Sequence, residues 1–153
     1  MGQRELKLLS RHKRIGLDTV LFIYHLEGME PYASFTAELF TALSQGVFSG
    51  LASSLVITEL LVRPFELGDE RKIRACEAFL GALPGLGIHP VDGKVAKEGA
   101  RLRVRYGLRT PDALHLATAL VHGATAFLTN DREFRKAQGC GLEILLLDEL
   151  LPR

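Results

Sequence analysis

The sequence has few cysteines, almost no net charge and no long hydrophobic run, and each of these features disfavours certain classes of protein. The two cysteines, Cys76 and Cys140, lie far apart and match no metal-binding spacing, and such sparse use is typical of a reducing compartment. The formal net charge is +1, so any basic surface must be local. No stretch approaches the roughly 18 apolar residues of a membrane span, so a transmembrane protein is not predicted.

The chain also lacks linkers, internal repeats and low-complexity segments that would divide it. Its 153 residues suffice for one domain with a core, and 47% hydrophobic with 24% charged residues is the balance of a folded globular protein. Residues 1–16 carry five basic side chains but no long apolar region, so a secretory signal is not expected and a cytoplasmic location is predicted. Residues 1–14 are expected to form a basic arm before a domain spanning 15–153, and a solvated tail is favoured for this arm over a short extra helix.

Predicted strands and helices alternate from residue 15 onward. Apolar runs predict strands at 15–18, 50–54, 87–91, 124–129 and 142–147, and helical periodicity predicts helices at 20–26, 34–43, 56–62, 70–83, 94–106 and 110–122. Asp69 and Asp92 are expected N-caps, Pro64 is expected to stop the third helix, and the Thr110 hydroxyl is expected to cap the last one. The alternation predicts a single-domain α/β fold, a parallel sheet with helices on both faces.

Four acidic residues occupy positions that can meet at one edge of such a sheet: Asp18, Glu59, Asp112 and Asp131. Asp18 ends the first predicted strand, Asp131 follows the fourth, and the other two acids lie near helix starts. Open parallel sheets bind ligands beyond the carboxyl ends of their strands. Four adjacent carboxylates repel one another, and a fold tolerates them when a divalent cation lies between them. Oxygen-only ligands suit Mg²⁺ and Mn²⁺, which can activate a water and stabilise charge on a phosphate.

Each of these acids also has a purely structural interpretation. Asp18 can cap a helix, Asp112 can stabilise the positive end of its helix, and Asp131 can form a turn beside Asn130. Glu59 is the hardest to explain in this way, because it lies within an apolar run. Spacing alone therefore leaves a metal site and ordinary capping both open.

Four segments, in this order along the chain, resemble those of the PIN-domain family. They are residues 17–24 (LDTVLFIY), 54–60 (SLVITEL), 110–119 (TPDALHLATA) and 127–134 (FLTNDREF). The third matches closely, and the fourth carries a Thr-x-Asp-x-x-Phe pattern. Val20 departs from the family, which often has Asn or Ser there, so a supporting hydrogen bond is not expected from that position. The resemblance spans roughly residue 15 to the carboxyl end and retains all four acids.

The resemblance implies a PIN-like three-layer sandwich and a VapC-like endoribonuclease, the toxin of a toxin–antitoxin pair. It implies that Asp18, Glu59, Asp112 and Asp131 are the catalytic residues and the ligands, or close supports, of Mg²⁺ or Mn²⁺. Thr129 and Asn130 are implied as supporting residues. The implied partners are an RNA substrate, a small protein antitoxin and a second copy of the chain in a homodimer.

Two further features carry weaker signals. A basic stripe recurs at helical spacing and can follow an RNA phosphate backbone or form an ordinary solvated face; it consists of Lys94, Lys97, Arg101 and Arg105. His115 lies one helical turn after Asp112, and packing or a hydrogen bond beside the site is favoured for it over metal ligation.

Two other functions compete with a ribonuclease. The first is a non-catalytic PIN-like module that binds RNA or a protein, and the intact acids at all four motif positions argue against it. The second is a phospho-acceptor signalling domain of the doubly wound type, which needs a pair of adjacent acids near the first strand. The first strand here offers Asp18 alone, so this function ranks third.

Overall fold

Five short parallel strands form the sheet in this computed structural model, which describes residues 1–151. The strands are β1 (Arg14–Leu17), β2 (Ser49–Ser53), β3 (Leu86–His89), β4 (Ala126–Thr129) and β5 (Glu143–Leu146). Their order across the sheet is β3-β2-β1-β4-β5, and every pairing is parallel. The chain therefore adds β2 and β3 on one side of β1 and then β4 and β5 on the other side.

The helices connect these strands on both sides of the sheet. They are α1 (Gln3–Leu9), α2 (Thr19–Leu26), α3 (Tyr32–Ser44), α4 (Leu55–Leu67), α5 (Glu70–Ala82), α6 (Gly93–Tyr106), α7 (Thr110–Val121), a 3-10 helix (Arg132–Ala137) and α8 (Leu147–Leu150). The sequence did not predict the 3-10 helix or α8, because segments this short show no clear periodicity. Among residues 1–151, no helix has the length and apolar character needed to cross a membrane.

Side chains alternate along the strands between two hydrophobic layers. Ile15 and Leu17 lie in the layer that α1 to α4 cover, whereas Phe127 lies in the layer that α6, α7 and the 3-10 helix cover. Gly16 allows α7 to approach β1 closely, because a Cβ there would lie 2.7 Å from the Cβ of Ala119. The layers confirm the predicted α/β fold with a parallel sheet between helices.

Two predicted helix ends were wrong. Pro64 does not stop α4, which continues to Leu67 and ends at Gly68 with a φ of 62°. The Pro64 ring is buried, so its packing offsets the backbone hydrogen bond that proline cannot donate. The Thr110 hydroxyl does not cap α7 either, because Thr110 is already helical and Arg109 holds the N-cap position without a side-chain hydrogen bond. By contrast, Asp69 and Asp92 do cap α5 and α6.

The amino-terminal segment is helical and attached to the core rather than solvated. Leu9 of α1 is 0% exposed and belongs to the layer beneath α1 to α4. The amino group of Met1 lies 2.8 Å from Glu38 Oε2 on α3. The solvated tail was therefore the wrong alternative and the short extra helix the right one. The division of the chain at residue 15 into an arm and a domain stays a prediction.

Candidate active site

The four predicted acids lie where the carboxyl ends of the strands meet. Asp18 directly follows β1, and Asp131 follows β4, which pairs with β1. Glu59 lies in the second turn of α4, and Asp112 lies in the first turn of α7. Strand order reverses at β1, and such a switch point is where open α/β sheets bind ligands.

Thr129 joins two of these acids, Asp18 and Asp131. Its hydroxyl donates to Asp18 Oδ2 at 2.5 Å and accepts from the backbone N–H of Asp131 at 3.0 Å. Asp18 Oδ1 accepts from the backbone N–H of Thr19 at 2.8 Å, and Asp131 Oδ1 accepts from that of Glu133 at 2.9 Å. Both acids thus cap the helices that follow them, but capping uses only one oxygen of each carboxylate.

The Asp18 carboxylate is buried, and its role as a helix cap does not require burial. The residue is 7% exposed. Burial raises the pKa of its carboxyl above the ordinary value, and the nearby Glu59 carboxylate adds to this rise. The hydrogen bond from Thr129 and the charge of His115 offset only part of it. Burying an acid beside another acid destabilises the ionised form, and such perturbed carboxyls are typical of functional sites.

His115 pairs with Glu59 across the two helices that carry them. The distance from His115 Nε2 to Glu59 Oε1 is 2.8 Å, and the His115 side chain is 2% exposed. Burial acts to raise the pKa of Glu59, but the hydrogen bond and charge of His115 lower it overall. Burial acts to lower the pKa of His115, but the bond to Glu59 and the charges of Asp18, Glu59 and Asp112 raise it overall. Since an ionised Glu59 only accepts hydrogen bonds, Nε2 of His115 is the donor.

Arg109 joins the other pair of acids. Its Nε lies 3.0 Å from Asp112 Oδ2, and a terminal nitrogen lies 3.9 Å from Asp131 Oδ2. The Arg109 side chain is 73% exposed, whereas that of Asp112 is 11% exposed. The sequence analysis missed Arg109, although its position three residues before Asp112 was an available signal for an ion pair.

The carboxylate oxygens of the four acids are suitable ligands for a divalent cation, although three of the acids are paired with basic side chains in this structure. Among residues 1–151, no three Asp, Glu, His or Cys side chains are arranged to hold a metal ion. Arg109 and His115 instead neutralise three of the four acids. All four candidates offer hard carboxylate oxygens, which suit Mg²⁺ and Mn²⁺. The buried Thr19 hydroxyl, next to Asp18, makes no well-formed hydrogen bond, but it lies close enough to Glu59 to help lower the pKa of that carboxyl, and it adds a further oxygen to the site.

Asn130 anchors a second network beside the acids. Its Nδ2 donates to the Tyr24 hydroxyl and to Asp148 Oδ1, both at 3.2 Å, and its Oδ1 accepts from the backbone N–H of Asp148 at 3.0 Å. The Tyr32 hydroxyl also donates to Asp148 at 2.7 Å. The hydrogen bonds from Tyr32 and Asn130 lower the pKa of Asp148. Asp148 was not among the predicted site residues, because its partners lie at least 16 positions away and leave no local signal.

The basic stripe lies on α6 and apart from the acids. All four of its side chains are exposed: Lys94, Lys97, Arg101 and Arg105. Arg101 donates to Glu98 at 2.6 Å, and the Arg105 guanidinium lies 5.5 Å from the centroid of the Tyr106 ring. Within residues 1–151, no ion pair joins the stripe to the four acids. Its contact with RNA stays a prediction.

Comparisons with known proteins agree with the fold described above. A model of the PIN domain family matches residues 15–139. No curated protein matches the chain. The first of three similar solved structures is a toxin–antitoxin complex from Klebsiella pneumoniae, which is 22% identical with a TM-score of 0.58 and covers 79% of this chain and 89% of its own.

The other two structures are complexes bound to DNA. The VapBC2 structure from Rickettsia felis, bound to a promoter DNA fragment, is 19% identical with a TM-score of 0.58, and the match covers 86% of this chain and 96% of that one. The DNA-bound VapBC structure from Salmonella typhimurium is 20% identical with a TM-score of 0.65 and the same two coverages, 86% and 96%. At these identities, the likeness establishes the fold.

Proposed function

Because the chain belongs to the PIN domain family, we propose that it is an endoribonuclease that uses Mg²⁺ or Mn²⁺ to hydrolyse RNA phosphodiester bonds. The observation that carries this proposal is the placement of four carboxylates at the switch point of the sheet, where a buried acid, Asp18, is held with a raised pKa. The residues that would hold the cation are Asp18, Glu59, Asp112 and Asp131.

The roles of the surrounding residues follow from their hydrogen bonds. A bound divalent cation lowers the pKa of a water and stabilises negative charge on a phosphate. Thr129 orients the Asp18 carboxylate by donating to Oδ2, and it also holds the backbone of Asp131. His115 keeps Glu59 ionised and fixes its direction. Arg109 neutralises Asp112 and Asp131, and its exposure leaves its side chain free to turn toward a substrate phosphate.

We also propose that the protein is a toxin with a protein antitoxin and that it forms a homodimer. The three similar structures support this proposal, because they are described as toxin–antitoxin or VapBC complexes. Helix α4 supports a protein partner, since it exposes several large apolar side chains: Ile57, Val62, Phe65 and Leu67. Val62 and Phe65 lie three residues apart and share one side of the helix, and exposed apolar surface is typical of protein interfaces.

The nuclease proposal is tested by Asp112→Asn. Cleavage of RNA in Mg²⁺ or Mn²⁺ should fall by about 100-fold or more, because a metal site contributes several kcal/mol to stabilising the transition state. Asp92→Asn is the matched control, since it makes the same chemical change at a helix N-cap where asparagine also caps well.

The same assay separates the nuclease from a non-catalytic module that binds RNA or a protein. A module of that kind would bind RNA but show no metal-dependent cleavage even in the wild type. Near wild-type cleavage by Asp112→Asn would instead mean that the reaction occurs elsewhere on the chain.

A further inference from the structure

A large cleft runs along the outer edge of the sheet, between α1 and the 3-10 helix. We name it the N-terminal cleft; its basic side chains are Arg4, Lys7, Arg11, Arg132 and Arg135. It is lined by β5, which is the last strand of the sheet. Its volume is about 1450 Å³. Small-molecule sites occupy about 300–1,000 Å³, so this cleft suits a segment of a polymer better than a small ligand.

The charges that line the N-terminal cleft do not balance. Asp148 and Glu149 pair with Arg132 and Arg135, whereas Glu143 lies 3.0 Å from a histidine, His12. Arg4, Lys7 and Arg11 are exposed, and none of them has an acidic partner within residues 1–151. Glu5 and Glu143 also line the cleft and oppose two of these three positive charges, which leaves an excess of one. The excess positive charge favours an anionic occupant.

The cleft opens beside the candidate active site. Asp148 lines it and also accepts a hydrogen bond from Asn130. Arg132 lines it as well and directly follows Asp131. A polymer bound at the acids must continue along the surface in some direction, and this basic cleft begins one residue away from Asp131.

Helix α1 is firmly placed as one wall of the cleft. Leu9 is fully buried, and the amino group of Met1 pairs with Glu38. Arg4 and Lys7 lie three residues apart, so they share one side of the helix. Helix α1 precedes the matched PIN segment, which begins at residue 15, so it adds a surface to the domain that the match covers.

We propose that the N-terminal cleft binds the phosphate backbone of single-stranded RNA and leads it to the Asp131 side of the active site. This rests on the proposed function in one respect, that RNA is the substrate. Arg4, Lys7 and Arg11 contact phosphates from α1 and the residues after it, and Arg132 contacts the strand where it reaches the acids.

The test is the salt dependence of binding by the double variant Arg4→Gln/Lys7→Gln. Binding of a labelled oligouridine is measured by fluorescence anisotropy in EDTA at several salt concentrations, so that no metal-dependent cleavage occurs. Losing two phosphate contacts to a single strand should flatten the log–log salt slope by about 1.4 and weaken binding at low salt. The control is Arg71→Gln/Arg74→Gln, which removes two exposed charges at the same spacing on α5, away from the cleft. It should keep the wild-type slope.

Each outcome decides one question. An unchanged slope in Arg4→Gln/Lys7→Gln overturns the proposal, and so does an equal change in the α5 control, which would indicate nonspecific attraction. Competition with polyglutamate tests an acidic protein segment as the occupant. If the double variant loses polyglutamate binding but keeps oligouridine binding, the cleft binds protein and the RNA proposal is wrong. Because these are binding measurements without metal, a failure of the nuclease proposal would appear separately, as a wild type that binds RNA without cutting it.

Discussion

The candidate active site has two halves whose acids face different basic side chains, and we name the halves inner and outer after the burial of that basic side chain. In the inner half, Asp18 and Glu59 face His115, whose side chain is 2% exposed. In the outer half, Asp112 and Asp131 share Arg109, whose side chain is 73% exposed. A buried imidazole is fixed by the packing around it, whereas an exposed guanidinium can leave at little cost.

This difference indicates which acids are free to accept a new ligand. His115 is part of the fold and sets the direction of Glu59, so the inner half is preorganised. Arg109 is a counter-charge that a stronger cation can displace, so the outer half is adjustable. The comparison therefore predicts that replacing His115 affects stability, whereas replacing Arg109 affects ligand binding.

The largest expected effect is on metal-induced thermal stabilisation. At about 100 times its Kd, Mg²⁺ or Mn²⁺ should stabilise the folded protein by about 2.7 kcal/mol, which raises the Tm by roughly 5–10 °C for a domain of this size. Arg109→Gln should reach this shift at a lower metal concentration, because a competing cation is gone. The double variant Asp18→Asn/Asp131→Asn should lose most of it. The measurement is a thermal melt across a metal titration.

Two results would contradict the division into halves. An identical Tm shift in the double variant would mean that the ions bind elsewhere. A requirement for more metal in Arg109→Gln would mean that the guanidinium organises the outer acids rather than competing with the cation.

A smaller effect is expected on the stability of the metal-free protein. His115→Gln should lower the free energy of unfolding by about 1–3 kcal/mol, because it disrupts a buried hydrogen bond to a charged group. Arg109→Gln should leave it unchanged within error, since exposed ion pairs contribute little. Denaturant unfolding in EDTA checks both, and equal losses in the two variants would remove the distinction between the halves.

Local patterns made the acids predictable, whereas their partners come from distant parts of the chain. Asp18 and Asp131 each follow an apolar strand, and Asp112 lies in a recognisable helix start, so short motifs were enough to find them. The bond between His115 and Glu59 joins residues 56 positions apart, and no local spacing encodes it. Only the tertiary fold, which places the starts of α4 and α7 at the same edge of the sheet, brings the two together.

The errors in the predicted fold have the same origin. Pro64 predicts a helix stop because proline lacks an N–H, but its ring is buried within α4, and the helix continues past it. Helix α1 carries polar and basic residues throughout its exposed side, which is typical of a tail, and one deeply buried residue, Leu9, attaches it to the core. In both places tertiary packing overrode a correct local tendency.

The smallest expected effect is a pH dependence that the inner half alone produces. His115 has a folded pKa above its ordinary 6.5, so its contribution to stability is complete below about pH 6.5 and is lost as the pH rises through the folded value. Glu59 has a folded pKa below its ordinary 4.5, so its contribution is present above about pH 4.5 and is lost as the pH falls through the folded value. The pair therefore stabilises the metal-free protein most between these limits.

Asp18 should act in the opposite direction, which provides an internal check. Its folded pKa is raised above the ordinary 3.8, so ionising it costs stability as the pH rises through the folded value. Asp18→Asn should therefore hold or gain stability at neutral pH, whereas His115→Gln should lose the stability maximum between about pH 4.5 and 6.5. Denaturant midpoints measured in EDTA across this range test both. A wild-type profile retained by His115→Gln would mean that the imidazole carries no charge in the folded protein, and the inner half would then lack the fixed cation that distinguishes it from the outer half.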